Sequence, residues 1–236
     1  MKILFNVLAK DLANAKAISA VAPERIFVGL MVKNYKTDVA AIKQVRQFME
    51  NGILTSVGLG AGDPAMWNRV AQVSLKTFPN HINQVFPAAG YTKGLLEGAG
   101  AGQDVIINAL VEPAEKPGEV YISTGEISQN KKEAISCKLA AKLIADIGLN
   151  SVKFYPIDGL QKAEHLSAMC RAAKEEGIKM FEPTGAITME NVHEIVDICL
   201  QSGIKIVMPH LYTSLVDKKT KETKPEYIEK LAAMKW

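Results

Sequence analysis

The sequence predicts an α/β chain folded as a (β/α)8 barrel, with residues 1–236 forming one domain. Three observations carry that expectation. Short apolar runs alternate with segments of helical periodicity, eight such runs can be counted, and polar and glycine residues gather just beyond their carboxyl ends, where barrels of this kind keep their active sites. At 236 residues and 48% hydrophobic content, the chain is long and apolar enough for one large core. The rival arrangement of the same elements is an open doubly wound sheet.

In chain order, the start from Met1 to Ala9 briefly resembles a signal peptide, but Asn6, Lys10 and Asp11 interrupt the apolar run too early. A helix follows from Leu12 to Val21, Pro23 punctuates, and Ile26 to Val32 reads as the first buried strand. The next helix repeats Val39, Ile42, Val45, Phe48 and Met49 at helical spacing and ends at Asn51-Gly52. Ile53 to Leu59 is the second strand; the loop Gly60-Ala61-Gly62-Asp63-Pro64 leads from it into a helix carrying Met66, Val70 and Val73. Ile82 to Phe86 is the third strand, followed by a short helical piece near Gly94 to Leu96 and a flexible glycine run from Gly98 to Gly102. Val105 to Val111 is the fourth and Val120 to Thr124 the fifth. The Pro117-Gly118 link between those two is too short for a helix, so one crossover helix is expected to be shortened or missing. Ala134 to Ile147 (helix), Val152 to Tyr155 (sixth strand), Glu164 to Glu176 (helix), Lys179 to Glu182 (seventh strand), Met189 to Gln201 (helix) and Ile204 to Met208 (eighth strand) complete the pattern. A charged loop from Lys218 to Lys221 precedes a last helix.

Composition excludes several function classes. The 28 basic and 25 acidic residues are dispersed and leave a net charge of +3, which makes no electrostatic case for nucleic acid. No stretch is apolar for long enough to span a bilayer. Cys137, Cys170 and Cys199 lie far apart in helix-like segments, without the spacings of zinc sites or redox pairs. Free buried thiols and a cytoplasmic location are therefore expected.

The chemistry centres on Lys153. In the run Ser151-Val152-Lys153-Phe154-Tyr155-Pro156, alternation puts Lys153 on the face of Ser151 and Tyr155. An ammonium held in an apolar strand either reaches solvent or a carboxylate, or loses its proton and becomes a nucleophilic amine able to form a Schiff base. Glu182 ends the neighbouring strand and is the first candidate general acid–base, with a salt bridge to Lys153 as the structural alternative. Asp63 and Asp158 are weaker candidates in mouth loops. Thr184, Gly185 and Ala186 open a strand-to-helix turn whose N–H groups can gather an anion, phosphate being the obvious one; an ordinary turn capped by Thr188 is the alternative. His210 can relay a proton, bind an anion or be structural. Ser56, Asn83, Gln84, Asn108 and Ser123 are polar residues on apolar strands, which need partners in each other or in a substrate carboxylate.

Val152-Lys153-Phe154-Tyr155-Pro156 resembles the lysine-bearing sixth strand of the 2-dehydro-3-deoxy-phosphogluconate (KDPG) aldolases, and Phe181-Glu182-Pro183-Thr184-Gly185 is similar to their phosphate-binding seventh strand. A divergent branch of that family, the 4-hydroxy-2-oxoglutarate or KDPG-type aldolases, is similar more widely. The likeness takes in Ser56 to Pro64, His81 to Phe86, Ile122 to Gly125 and Pro209 to Ser214. The resemblance implies a class I aldolase-like TIM barrel in which Lys153 forms the imine and no metal or other cofactor is needed. It also implies a small-molecule substrate, a 2-keto-3-deoxy acid carrying phosphate, and association into a homo-oligomer. Substrate contacts would fall to Thr184, Gly185, Ala186, His210, Ser56, Asp63, Gln84 and Ser123. Two departures stand out. The better-known family has a catalytic glutamate on its second strand, where Leu54 to Leu59 here has no carboxylate. It also has glycines where this chain has Ala186 and His210-Leu211-Tyr212. Cleavage of KDPG to pyruvate and glyceraldehyde 3-phosphate is the leading expectation. The alternatives are an unphosphorylated 4-hydroxy-2-oxoglutarate substrate, a sugar-phosphate isomerase or epimerase, and a barrel that binds a metabolite without turning it over.

Overall fold

In the computed structural model of the chain, residues 1–101 and 105–236 are described. Eight parallel strands form a ring: β1 (Lys2–Ile3, resuming as Phe5–Leu8), β2 (Ile26–Met31), β3 (Leu54–Gly58), β4 (His81–Val85), β5 (Ile106–Pro113), β6 (Ser151–Phe154), β7 (Met180–Pro183) and β8 (Ile206–Val207, resuming as His210–Leu211). Each pairs with its sequence neighbour. The ends then meet, because Lys2 and Ile3 pair with Ile206 and Val207, and Asn6 and Val7 with His210 and Leu211. Among the described residues, eight helices alternate with these strands: α1 (Leu12–Val21), α2 (Asp38–Glu50), α3 (Trp67–Thr77), α4 (Phe86–Gly98), α5 (Cys137–Asp146), α6 (Ala163–Glu175), α7 (Val192–Gln201) and α8 (Pro225–Ala233). This is a TIM-barrel-like fold.

Each strand sends alternate residues to opposite faces. Outward residues such as Phe5, Val28, Val57, Val152, Phe154 and Phe181 are buried under the helices in the main core. Inward residues stack in layers. The lowest is an apolar plug of Leu4, Phe27, Met180 and Met208. Above it, Asn6, Ser56, His81, Asn108, Ser151, Glu182 and His210 form a buried polar layer.

Three expectations are corrected. The N-terminal stretch is a barrel strand, and Asn6, which made it look like a broken leader, is an inward member of the polar layer. Val120 to Thr124 is not a barrel strand: Glu119–Tyr121 folds back antiparallel on the end of β5, and Ile135–Ser136 pairs with it in turn. The turn from the end of β5 into Glu119–Tyr121 uses Gly118 at φ 90°, in the left-handed region glycine favours. Two misreadings thus cancelled in the count of eight, and Leu54 to Gly58 lies on the third strand rather than the second. No crossover helix is missing among the described residues, since α5 connects β5 to β6 after the antiparallel ribbon. The short helical piece near Gly94 is part of α4. Of the glycine run that follows, Gly102 lies outside the described residues.

Candidate active site

A cavity of about 630 Å³ opens at the carboxyl ends of the strands, and Lys153 reaches into it. Gly58 (β3), Asn83 (β4), Leu110 (β5), Lys153 (β6) and Thr184, just past β7, all border it, as their inward register dictates. Lys153 Nζ lies 3.1 Å from Asn83 Oδ1 and 3.3 Å from His210 Nδ1, and the Tyr212 ring covers it with its centroid at 6.0 Å. It makes no ion pair among the described residues. Burial pushes the Lys153 pKa down to about 8, against the opposing pull of the Glu182 charge.

Glu182 sits one layer below, fully buried. Oε1 accepts from His81 Nε2 at 3.0 Å and from the Ser151 hydroxyl, while Oε2 accepts from Asn108 Nδ2 at 2.8 Å and His210 Nε2 at 2.9 Å. Four donors therefore occupy both oxygens. Burial alone would raise the Glu182 pKa, but the two imidazoles with their hydrogen bonds outweigh it and hold the carboxyl below the usual carboxylate range. The network continues outward with few free valences. Asn108 Nδ2 also donates to Asn83 Oδ1 at 2.9 Å, and Ser56 Oγ accepts from Asn6 Nδ2 at 2.9 Å and Asn83 Nδ2 at 3.0 Å. The Ser56 hydroxyl, 2.7 Å from His81 Nδ1, is then left to donate to that ring nitrogen. Each imidazole thus gives its Nε2–H to Glu182. For His210 the remaining nitrogen, Nδ1, is the lone pair that faces Lys153. Burial and then the Lys153 ammonium push the His210 pKa down to about 3 although Glu182 opposes them, so the ring is neutral.

The turn after β7 forms the part of the cavity's rim beside the lysine strand. Gly185 takes φ 113° and Ala186 φ 51°, both in the left-handed region. A Cβ on Gly185 would meet Ile157 N at 3.1 Å and Pro156 Cα at 3.2 Å. The turn is braced by Asn191 at the head of α7, whose Oδ1 accepts from Thr188 N at 2.8 Å and whose Nδ2 donates to Ala186 O at 3.0 Å. Thr188 borders the cavity and also takes the capping role offered as the alternative, its Oγ1 accepting from Glu190 N at 3.3 Å in the turn that leads into α7. Lys218 borders the cavity as well.

Of the residues singled out in the sequence, Lys153, Thr184, Gly185, Ala186 and His210 come together around the cavity. Glu182 and Ser56 lie beneath it, buried in the polar layer and off its wall. Gln84 touches the cavity edge, yet its side chain points outward: Nε2 donates to Trp67 O and Thr92 Oγ1, each at 3.0 Å, and Oε1 accepts from Val85 N at 2.9 Å. Asp63 is outside the lining; it caps the turn at Ala65 N and pairs with Lys33 at 3.6 Å. Ser123 is also outside the lining, although its neighbour Thr124 packs back on the barrel, where its Oγ1 accepts from Phe86 N at 2.9 Å and donates to Leu110 O at 3.3 Å. Asp158 is exposed at φ 52°. Sequence reasoning missed Asn6, His81 and Lys218. For the first two the signal was available, since each is an inward polar residue on an otherwise apolar strand. No group of three or more His, Cys, Asp or Glu among the described residues could hold a metal ion.

A ring of parallel strands with a lysine at the floor of a cavity at their carboxyl ends defines a TIM-barrel-like protein with a small-molecule site. The chain belongs to the KDGP aldolase family, whose model matches residues 1–219. It is 39% identical over 231 residues to a Salmonella typhimurium (strain 14028s / SGSC 2262) protein named 2-dehydro-3-deoxy-phosphogluconate aldolase, covering 98% of this chain and 93% of that one. Solved structures share the fold at low identity. The carboxyl transferase domain of Rhizobium etli pyruvate carboxylase with pyruvate has a TM-score of 0.57 at 12% identity, over 98% of this chain and 47% of that one, so this chain spans about half its length. A putative fructose-1,6-biphosphate aldolase from Coccidioides immitis has a TM-score of 0.57 at 14% identity, over 89% and 76% of the two chains. Family and relative together support an aldolase, a carbon–carbon lyase.

Proposed function

We propose that the protein is a class I, Schiff-base aldolase that cleaves 2-dehydro-3-deoxy-6-phosphogluconate to pyruvate and glyceraldehyde 3-phosphate. The observation that carries this reading is Lys153: its amine lies in the cavity, without an ion pair among the described residues and with its pKa pushed down to about 8. Roughly a tenth of such a lysine is neutral at pH 7, against fewer than about one in a thousand for an ordinary one. The amine, freed of one proton, adds to the C2 carbonyl; that proton and one more from nitrogen pass to the former carbonyl oxygen, and loss of water gives an iminium. The C3–C4 bond then breaks as the C4 hydroxyl gives up its proton, and the bonding pair moves into the C2–C3 enamine. Protonation at C3 and hydrolysis release pyruvate and regenerate the lysine. Asn83 Oδ1 orients the amine for attack, and the Tyr212 ring favours the cationic iminium that replaces it. A phosphorylated substrate is supported by the braced Thr184 to Thr188 turn, by Lys218 on the cavity wall and by the relative's name.

Borohydride reduction in the presence of pyruvate should leave a reduced pyruvyl adduct on Lys153, located by peptide mass spectrometry, and Lys153→Arg should lose both adduct and turnover, because a guanidinium stays protonated. Substantial turnover in that variant, or an adduct only on another lysine, would overturn this mechanism.

A further inference from the structure

We propose that His210 is the proton carrier for imine chemistry at Lys153, and that Glu182 acts through it as a positioning residue. This inference rests on the Schiff-base reading above. Among the described residues, the titratable side chains bordering the cavity are Lys153, Tyr155, His210, Tyr212 and Lys218. Glu182 is absent from that wall, and both its oxygens are engaged by four donors. Asp63 is turned to Lys33. Burial and then the Glu182 charge keep Tyr212 a phenol by pushing its pKa up. His210 is the base that remains. Its Nδ1 stands 3.3 Å from the reacting nitrogen, and its Nε2–H is held by Glu182 at 2.9 Å. Carboxylate, imidazole and nucleophile thus lie in sequence, the carboxylate fixing the tautomer that presents a lone pair to the nucleophile.

The proton balance closes on this arrangement. Starting from the Lys153 ammonium and the C2 ketone, two protons must leave nitrogen and reach the former carbonyl oxygen, which departs as water, giving an iminium with the net charge unchanged. His210 takes the first proton through Nδ1, freeing the amine pair that forms the C–N bond, and returns it to the oxygen now on the same carbon. The second proton follows the same route, and the C–O bond then breaks. The charged and titratable groups around His210 are Lys153 from β6, Glu182 from β7, His81 from β4 and Tyr212 just beyond β8. While the proton is on His210, Lys153 has lost its own charge, so the repulsion that disfavours an imidazolium there is removed at the moment of transfer.

The test compares full-length wild type with H210Q, because a glutamine amide can keep the donor to Glu182 at the Nε2 position while removing Nδ1. Pyruvate trapping by borohydride, followed by intact mass over time, should still label Lys153 in H210Q, at a rate lowered roughly 10²- to 10⁴-fold, and kcat should fall in the same range. If H210Q does not fold, H210N is the second variant: its shorter amide no longer reaches Glu182, but it likewise offers no basic nitrogen to Lys153. Added imidazole should restore part of the rate in H210A. E182Q should slow trapping in the wild-type background but add little to the loss already seen in H210Q, because Glu182 acts through the imidazole; a merely structural glutamate would slow both backgrounds alike. Near-wild-type trapping in a folded H210Q or H210N, with wild type labelled at Lys153, overturns the role of His210 and leaves the aldolase reading intact. A wild type that cannot be trapped overturns both.

Discussion

At the scale of single residues, the site keeps opposite charges close without pairing them directly. His210 and Asn83 stand against Lys153, and Glu182 is reached only through them. Burial therefore lowers the Lys153 pKa, where a direct carboxylate contact would raise it. The consequence for stability has a definite sign. The folded-state pKa of about 8 lies below the ordinary lysine value of 10.5, so between those limits the unfolded chain binds more protons and stability through this group rises with pH. Lys153→Met should accordingly be more stable than wild type below pH 8, with the difference shrinking as pH rises toward 10. Urea unfolding of both proteins at pH 7 and pH 9.5 measures this, and a difference that grows with pH would contradict it. His210 acts at the other end of the scale. Its folded pKa of about 3 lies below the usual 6.5, so its contribution is full above pH 6.5 and is lost as pH falls from there toward 3.

At the scale of elements, the strand-to-helix turn after β7 shapes the cavity rim through its backbone conformation. Gly185 at φ 113° can carry no side chain without strain, and a Cβ there would press on the backbone at Pro156 and Ile157. Gly185→Val should therefore distort the rim of the cavity while leaving Lys153 in place. If the turn holds a remote phosphate, the interaction is shared by ground and transition states, so KM should rise more than kcat falls, and inorganic phosphate should compete with substrate in wild type. A kcat loss with KM unchanged, and no inhibition by phosphate, would move the anion site elsewhere. Gly29 on β2 has a comparable role at the other side of the mouth: a Cβ there would lie 2.6 Å from the Tyr212 hydroxyl, so the glycine makes room for the ring that covers Lys153.

For the whole molecule, side-chain contacts fasten the two ends of the chain to the barrel and to each other. Arg25, before β2, donates from Nε to Ile3 O at 3.0 Å and from Nη1 to Ala232 O at 3.1 Å, and its guanidinium lies 5.3 Å from the centroid of the Phe5 ring. Asn14 in α1 exchanges two hydrogen bonds with Thr223, at 2.8 and 3.1 Å. Arg25→Ala should cost about 1–3 kcal/mol in chemical denaturation, the range for part-buried charge-assisted bonds, with kcat unchanged because the cavity is at the opposite end of the strands. A stability change under roughly 0.5 kcal/mol would show that these contacts are exchanged for water at no cost.

The alternation of apolar runs and helical periods in this chain determined the barrel, and alternation within a strand placed Lys153 and Glu182 on inward faces, because both patterns are local consequences of backbone geometry. The same local logic misled at Asn6, where an inward polar residue read as a break in an apolar run. It misled again at Val120 to Thr124, whose apolar character suits a ribbon as well as a barrel strand. Only the closed ring decided which polar residues meet. Asn6, Ser56, His81, Asn108, Ser151, Glu182 and His210 come from seven strands spread over the chain, and the register of the parallel pairs brings them into one layer. That layer filled the hydrogen-bonding capacity of Glu182 and left Nδ1 of His210 facing the lysine. Sequence spacing carries no such information, because a buried carboxylate's partners are set by which strands lie across the barrel from it.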